Sequence, residues 1–193
     1  MSNASPVDFL RSHPSMIMPA GVEAYTVEEE DQGMLRNGSF APLFELPSPS
    51  DELVSLHHFA GSPLVILFYR GRFCETTDRF LTAWQDMYSR IRDLGAELIG
   101  VSSDTLEAID VTKDALRLSF LLLSDPECQV GAAYGAYVDR RTSGRKFTYP
   151  ALFVLDRNQA VAYWTVSSGP KGLPSPEDVL PILLYMSLHG GRY

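Results

Sequence analysis

Only two cysteines, Cys74 and Cys128, occur in 193 residues. Two thiols make no disulfide framework. In a reducing compartment each is either a small apolar residue or a reactive group. No apolar run approaches the roughly 20 residues needed to cross a bilayer, which argues against a membrane protein. The amino-terminal stretch MSNASPVDFLRSHPSMIMPAG lacks a basic start followed by a continuous apolar run. It reads poorly as a secretory signal, and the expected location is cytoplasmic. Basic charge is scarce as well: 16 Lys and Arg stand against 24 Asp and Glu, a net charge of −8. Phosphate backbones are gripped by clustered Lys and Arg, so nucleic acid is disfavoured as the main partner. The acidic run Glu28–Asp31 reads as a solvated surface segment. No Gly-rich phosphate loop is present. His57 and His58 are adjacent, so they do not share a face, and nothing else completes a zinc-like ligand set. No metal and no cofactor are therefore expected.

What is present is a core. Hydrophobic residues make up 45% of the chain, enough for one domain of this size. Residues 1–34 are poorly patterned and read as an extension. Residues 35–193 carry regular signals and read as a single domain. Ala41–Leu46 predicts a short strand closed by Pro47 and Pro49. Pro63–Tyr69 is a continuous apolar run, the mark of a buried parallel strand. Phe80, Leu81, Trp84, Met87, Tyr88, Ile91 and Leu94 recur at helical spacing, and Gly95 stops that helix. Ala96–Val101 predicts the next strand. Ser103 or Asp104 is the expected cap of a second helix over 105–117. Phe120–Leu123 predicts a strand. Ser124–Asp125–Pro126 is expected to open a third helix ending at Tyr134–Gly135. A basic, polar segment, Asp139–Lys146, follows. Ala151–Leu155 and Ala160–Val166, joined by a tight turn at 156–159, predict a hairpin. Ser175–Pro176 predicts the start of a last helix reaching about Leu188. The order implies an α/β fold with a central mixed sheet flanked by helices.

Chemistry concentrates in one segment, Arg70–Gly71–Arg72–Phe73–Cys74–Glu75–Thr76–Thr77. It joins a buried parallel strand to an amphipathic helix, at the strand end where ligands bind in open α/β sheets. Cys74 falls at or just before a helix N-terminus. Free N–H groups and the helix dipole favour a thiolate there. Arg70 and Arg72 add positive charge, and Glu75 opposes it. A thiol in such a setting drops from about 8.5 to roughly 3.5–7.5. The competing reading is that Cys74 simply packs as a small apolar side chain.

Several segments resemble the AhpC/TSA proteins of the thioredoxin-fold superfamily. Residues 35–61 match the entry segment, with its Gly–x–x–Ala–Pro–x–Phe pattern at Gly38–Phe44. Phe68–Cys74 resembles the FYRG-x-WC stretch of the peroxiredoxin-like subgroup. LGAELIGVSSD, LSFLLLSDPE and YPALFVLDRNQ follow the family pattern in the same order. The resemblance spans about residues 35–184 and implies a thioredoxin-like fold of peroxiredoxin-like architecture.

At the site the match is partial. The subgroup motif resembles a thioredoxin-type WCxxC, with Cys74 first and Thr77 in the second position. Aligned on the peroxiredoxin motif PxxxTxxC, the Pro position is Arg70, the Thr position is Cys74 and the peroxidatic position is Thr77. Peroxiredoxins also carry an Arg on a strand facing the thiol, and the matching position here is Leu152. Arg140, Arg141 and Arg145 are candidates to replace that charge. Losing preorganised donors commonly costs on the order of 2.7–4 kcal/mol of transition-state stabilisation each. CxxT resembles monothiol sites, which implies a Thr77 hydroxyl donating to the Cys74 thiolate. Pro150 matches the cis-Pro of thioredoxin-like folds, with an ordinary trans Pro as the alternative. Cys128 is either a resolving thiol or a surface or half-buried residue.

The resemblance thus implies a thiol-dependent oxidoreductase. Cys74 would attack a hydroperoxide or a disulfide, with Arg70, Arg72 and Pro150 at the substrate. An external thiol, glutathione or a thioredoxin-like protein, would reset it. Family members often form homodimers. The alternative is a catalytically degenerate member serving as a binding or interaction module.

Overall fold

The computed structural model describes residues 35–50, 52–140, 145–167 and 173–193. The expectation of an extension over residues 1–34 lies outside them. The architecture is built around β3, Leu64–Phe68, all five residues of which are buried. Alternation sends its side chains to two faces. Val65 and Leu67 enter one core with Phe80, Leu81, Trp84, Ile91, Leu152, Val179 and Leu183. Leu64, Ile66 and Phe68 enter a second with Leu46, Val54, Ile99, Tyr134 and Phe153. A strand buried on both faces must be central. β4, Glu97–Ser102, pairs parallel with β3, and β5, Leu121–Ser124, pairs parallel with β4. β8, Ala151–Leu155, and β9, Val161–Val166, continue antiparallel on the other side. The sheet order is β5-β4-β3-β8-β9. This is the mixed sheet that the sequence pattern implies.

Helix α1 spans Thr77–Asp93 and buries Phe80, Leu81, Trp84 and Ile91. Each such side chain removed from water contributes about 1.5–3 kcal/mol. Helix α2 spans Leu106–Leu116. Its cap is Thr105, whose hydroxyl accepts the Ala108 N–H at 3.4 Å, and not Ser103 or Asp104. Those two are drawn elsewhere: Ser103 donates to the Lys146 carbonyl, and the Asp104 carboxylate accepts the Arg72 N–H. Helix α3 is short, Gln129–Ala133. It starts later than Ser124–Pro126 because the Asp125 carboxylate reaches over to accept the N–H groups of Gln129 and Gly131. Helix α4, Pro176–Leu188, opens on a capping box between Ser175 and Asp178, as its Ser–Pro start predicts. Among the described residues no helix is long and apolar enough to cross a membrane.

Two small hairpins complete the fold. β1, Glu45–Pro47, pairs with β2, Leu53–Ser55, so the first strand is shorter and later than Ala41–Leu46. Pro42 has no N–H to give a ladder at the front of that stretch. The described parts of the basic, polar segment, on either side of residues 141–144, belong to strands. β6, Tyr137–Arg140, pairs with β7, Arg145–Thr148.

No described peptide bond is cis, so the Tyr149–Pro150 bond is trans. The Tyr149 N–H donates to the Ala136 carbonyl at 2.7 Å, and the Pro150 carbonyl accepts the Ser167 N–H at 2.8 Å. These bonds tie the segment between β7, in the small sheet, and β8, in the central one. A trans bond is the ordinary state of an X–Pro bond in a folded chain.

Candidate active site

Strand β3 delivers the chain to the carboxyl edge of the sheet. Thr148 fixes its exit by donating its hydroxyl to the Tyr69 carbonyl at 2.8 Å. Beyond Arg70 the chain turns on Gly71, at φ 90°, a conformation that suits glycine. A side chain at this position would also collide with Asp104, whose Cγ would lie 2.9 Å from the added carbon. That close approach lets Asp104 Oδ2 accept the Arg72 N–H at 2.8 Å. Two further turns follow, Cys74 N–H to the Gly71 carbonyl and Thr77 N–H to the Cys74 carbonyl. Helix α1 then begins. Cys74 therefore sits three residues ahead of the first helical residue, half-buried.

The Cys74 sulfur lies 3.2 Å from the Thr76 hydroxyl oxygen. Burial pushes the thiol up, but the Thr76 hydroxyl and backbone N–H, the Arg70 charge and a weaker Thr77 contribution outweigh it. The net result holds the thiol below its ordinary range. Thr76 is the residue that sequence reasoning missed. A hydroxyl two residues past a cysteine in a turn was the available signal. Thr77 is buried, and its hydroxyl donates to the Gly71 carbonyl at 2.8 Å. Its proton closes the loop, and its lowering effect on the sulfur is the smallest of those acting there.

Cys74, Thr76, Thr77, Arg70, Tyr69, Phe80, Pro150 and Leu173 line a shallow, open depression. The structure thus brings Cys74, Thr77, Arg70 and Pro150 together. Arg72 is exposed on the loop, held by its backbone. The Arg70 guanidinium lies over the Phe147 ring, 4.7 Å from its centroid. Its Nε is buried with no hydrogen-bond partner among the described residues. Leu152 pairs with Leu67 across the β3–β8 ladder and is fully buried in the core, so no charge reaches the thiol from that strand. Arg141 and the side chains of Arg140 and Arg145 lie outside the described residues.

Cys128 is neither exposed nor half-buried: it is 1% exposed. It precedes α3 in the left-handed region, at φ 53°. Burial and the Asp125 carboxylate push its thiol up to about 11. His58 accepts the Ser55 N–H through Nδ1 within a 3₁₀ turn, Leu56–Phe59. Among the described residues no group of three or more metal-ligating side chains converges.

A central mixed sheet whose inner parallel strand ends in a cysteine loop, ahead of a helix, defines a thiol site of the thioredoxin class. The AhpC/TSA family model matches residues 37–164. A bcp-type peroxiredoxin of Coxiella burnetii is 30% identical over 110 residues, covering 57% of this chain and 73% of that protein. The chloroplastic peroxiredoxin Q of Oryza sativa subsp. japonica is 33% identical over 133 residues, covering 68% of this chain but only 59% of that protein. A reduced Prx3 of Vibrio vulnificus, solved in complex with hydrogen peroxide, superposes with a TM-score of 0.70. It covers 78% of this chain and 99% of its own at 20% identity, and shows the shared fold. The chain belongs to the AhpC/TSA family, as a peroxiredoxin-like protein of the thioredoxin fold. Its class is that of thiol-dependent, peroxidase-like oxidoreductases.

Proposed function

We propose that the protein reduces hydroperoxides through Cys74 and is reset by an external thiol. The observation that carries this reading is the thiol itself. It is half-exposed, opens into a depression, receives the Thr76 hydroxyl and lies in the field of Arg70. The thiolate sulfur attacks one peroxide oxygen. The S–O bond forms as the O–O bond breaks, the sulfur is oxidised to a sulfenic acid, and the departing alkoxide or hydroxide takes up a proton. A small thiol then displaces water to give a mixed disulfide, and a second thiol releases the reduced enzyme. Arg70 lines the same depression, and its positive charge favours the thiolate. Pro150 lines the same depression. Cys128 is too buried and too weakly acidic to resolve the sulfenic acid from its present position. A cytoplasmic thiol pool such as glutathione, or a thioredoxin-like protein, fits this need. A homodimer fits the family habit.

The test is thiol-dependent consumption of hydrogen peroxide and an alkyl hydroperoxide by wild type and Cys74→Ser. Loss of at least a hundredfold in the variant is expected. Equal activity overturns the reading.

A second reading has its own support. Thr77 occupies the peroxidatic position with its hydroxyl turned to Gly71, and Leu152 lies in the core. A member so altered could serve as a binding module. Slow alkylation of Cys74 at neutral pH, with a thiol titrating at or above the ordinary value, would favour it.

A further inference from the structure

Phe147 is 4% exposed and stands on β7, outside the cysteine loop. Its ring touches that loop at two points. The Arg70 guanidinium lies over it at 4.7 Å, and the Phe73 ring meets it edge-on at 5.7 Å. The residues beside it are tied down. Thr148 donates to the Tyr69 carbonyl, the Lys146 carbonyl accepts from Ser103, and the Lys146 ammonium pairs with Glu127. The ring is thus fixed to the end of β3 and to the loops after β4 and β5. Arg70 flanks the same depression as Cys74, and its Nε is buried without a hydrogen-bond partner among the described residues. A guanidinium on a flexible stem loses positional freedom only when something holds it, and an aromatic face does so without spending its donors.

We propose that Phe147 is a positioning residue for the reaction at Cys74: its ring holds the Arg70 guanidinium against the thiol depression, so that Arg70 supplies from the end of β3 the charge that Leu152 cannot supply from β8. The inference rests on the reading of Cys74 as the nucleophile. Among the described residues, Arg72 and Glu75 stand on the same loop as the thiol, Asp104 on the loop after β4 accepts the Arg72 N–H, and Lys146 on β7 is engaged with Glu127. Of the cations on the cysteine loop, Arg70 is the one seated on Phe147 and beside the thiol.

The experiment measures the pH dependence of iodoacetamide alkylation at Cys74, read by peptide mass spectrometry. It is run on the full chain as wild type, Phe147→Leu, Phe147→Trp, Arg70→Met and the double variant Arg70→Met/Phe147→Leu. Phe147→Leu is expected to displace the profile to higher pH and to slow the reaction at pH 7 about three- to tenfold. Phe147→Trp keeps an aromatic face and should stay within about twofold of wild type. In the Arg70→Met background, Phe147→Leu should add nothing further. Three results would overturn the proposal: an unchanged profile in Phe147→Leu, a Trp variant as slow as the Leu variant, or full persistence of the Leu effect without Arg70. Should Phe147→Leu lose its thermal transition, Phe147→Met takes its place with the same expectations. The reading of Cys74 as the peroxide nucleophile fails separately, on retention of peroxidase activity in Cys74→Ser.

Discussion

Thr76 stands at the cap position of helix α1, yet its hydroxyl caps nothing: it lies 3.2 Å from the Cys74 sulfur. A cap hydroxyl ordinarily accepts an N–H of the first turn, at a gain of about 1 kcal/mol. Here that gain is forgone, and the hydroxyl is available to donate to a thiolate. A hydrogen bond to a charged group contributes about 1.5–3 kcal/mol. Thr76→Val keeps the shape and removes the donor. The Cys74 thiol should then titrate higher, and its alkylation near neutral pH should slow by about tenfold. Thr77→Val removes a donor committed to Gly71 and should act mainly on the loop and on thermal stability. Comparing alkylation rates and melting temperatures of the two variants checks the division of labour.

Gly71 and Asp104 lock the loop from opposite sides. Gly71 needs φ near 90°, and its missing side chain leaves room for the Asp104 carboxylate. Gly71→Ala meets both obstacles. The left-handed geometry costs on the order of 1–3 kcal/mol, and the added methyl pushes Asp104 off the Arg72 N–H. We expect a lower melting temperature together with slower Cys74 alkylation. Asp104→Asn keeps an acceptor for the Arg72 N–H and should be much milder on both measures. A Gly71→Ala protein as stable and as reactive as wild type would contradict this account of the loop.

The sheet was legible because burial leaves a direct mark. Pro63–Tyr69 has no polar residue, so it had to lie between two layers, and the helical stripe from Phe80 to Leu94 had to cover one of them. Cys74 was legible for a related reason, since a strand followed by a helix places the connecting loop at the sheet edge. The details of the loop were not legible. Whether Thr76 or Thr77 faces the sulfur depends on two turns set by Gly71 and by Asp104, which is 33 residues further along the chain. Phe147 directly follows the segment read as basic and polar, Asp139–Lys146, and its contact with Arg70 is a tertiary event with no local pattern. Ser103 and Asp104 are good caps by propensity, yet tertiary partners claimed both. The expectation of a cis bond at Pro150 followed a family resemblance, and the bond is trans.

The two thiols should pull on pH-dependent stability in opposite directions. The Cys74 thiol is lower in the folded chain than in the unfolded one. Its contribution is therefore fully present above the unfolded value and is lost as pH falls through the folded value. The Cys128 thiol is raised to about 11. Its contribution is fully present below the unfolded value, near 9, and is lost as pH rises through about 11. Across pH 9–11 the buried thiol should dominate, because a displacement of this size corresponds to about 2–3 kcal/mol, whereas Cys74 is partly open to solvent. Denaturant unfolding at pH 8 and pH 10.5 checks this. Wild type should lose stability over that interval, and Cys128→Ala should lose less of it. Native alkylation at pH 8 should label Cys74 alone, with Cys128 reacting only in denaturant. Rapid native labelling of Cys128 would show that the segment before α3 opens readily, and the expected stability difference would then vanish with it.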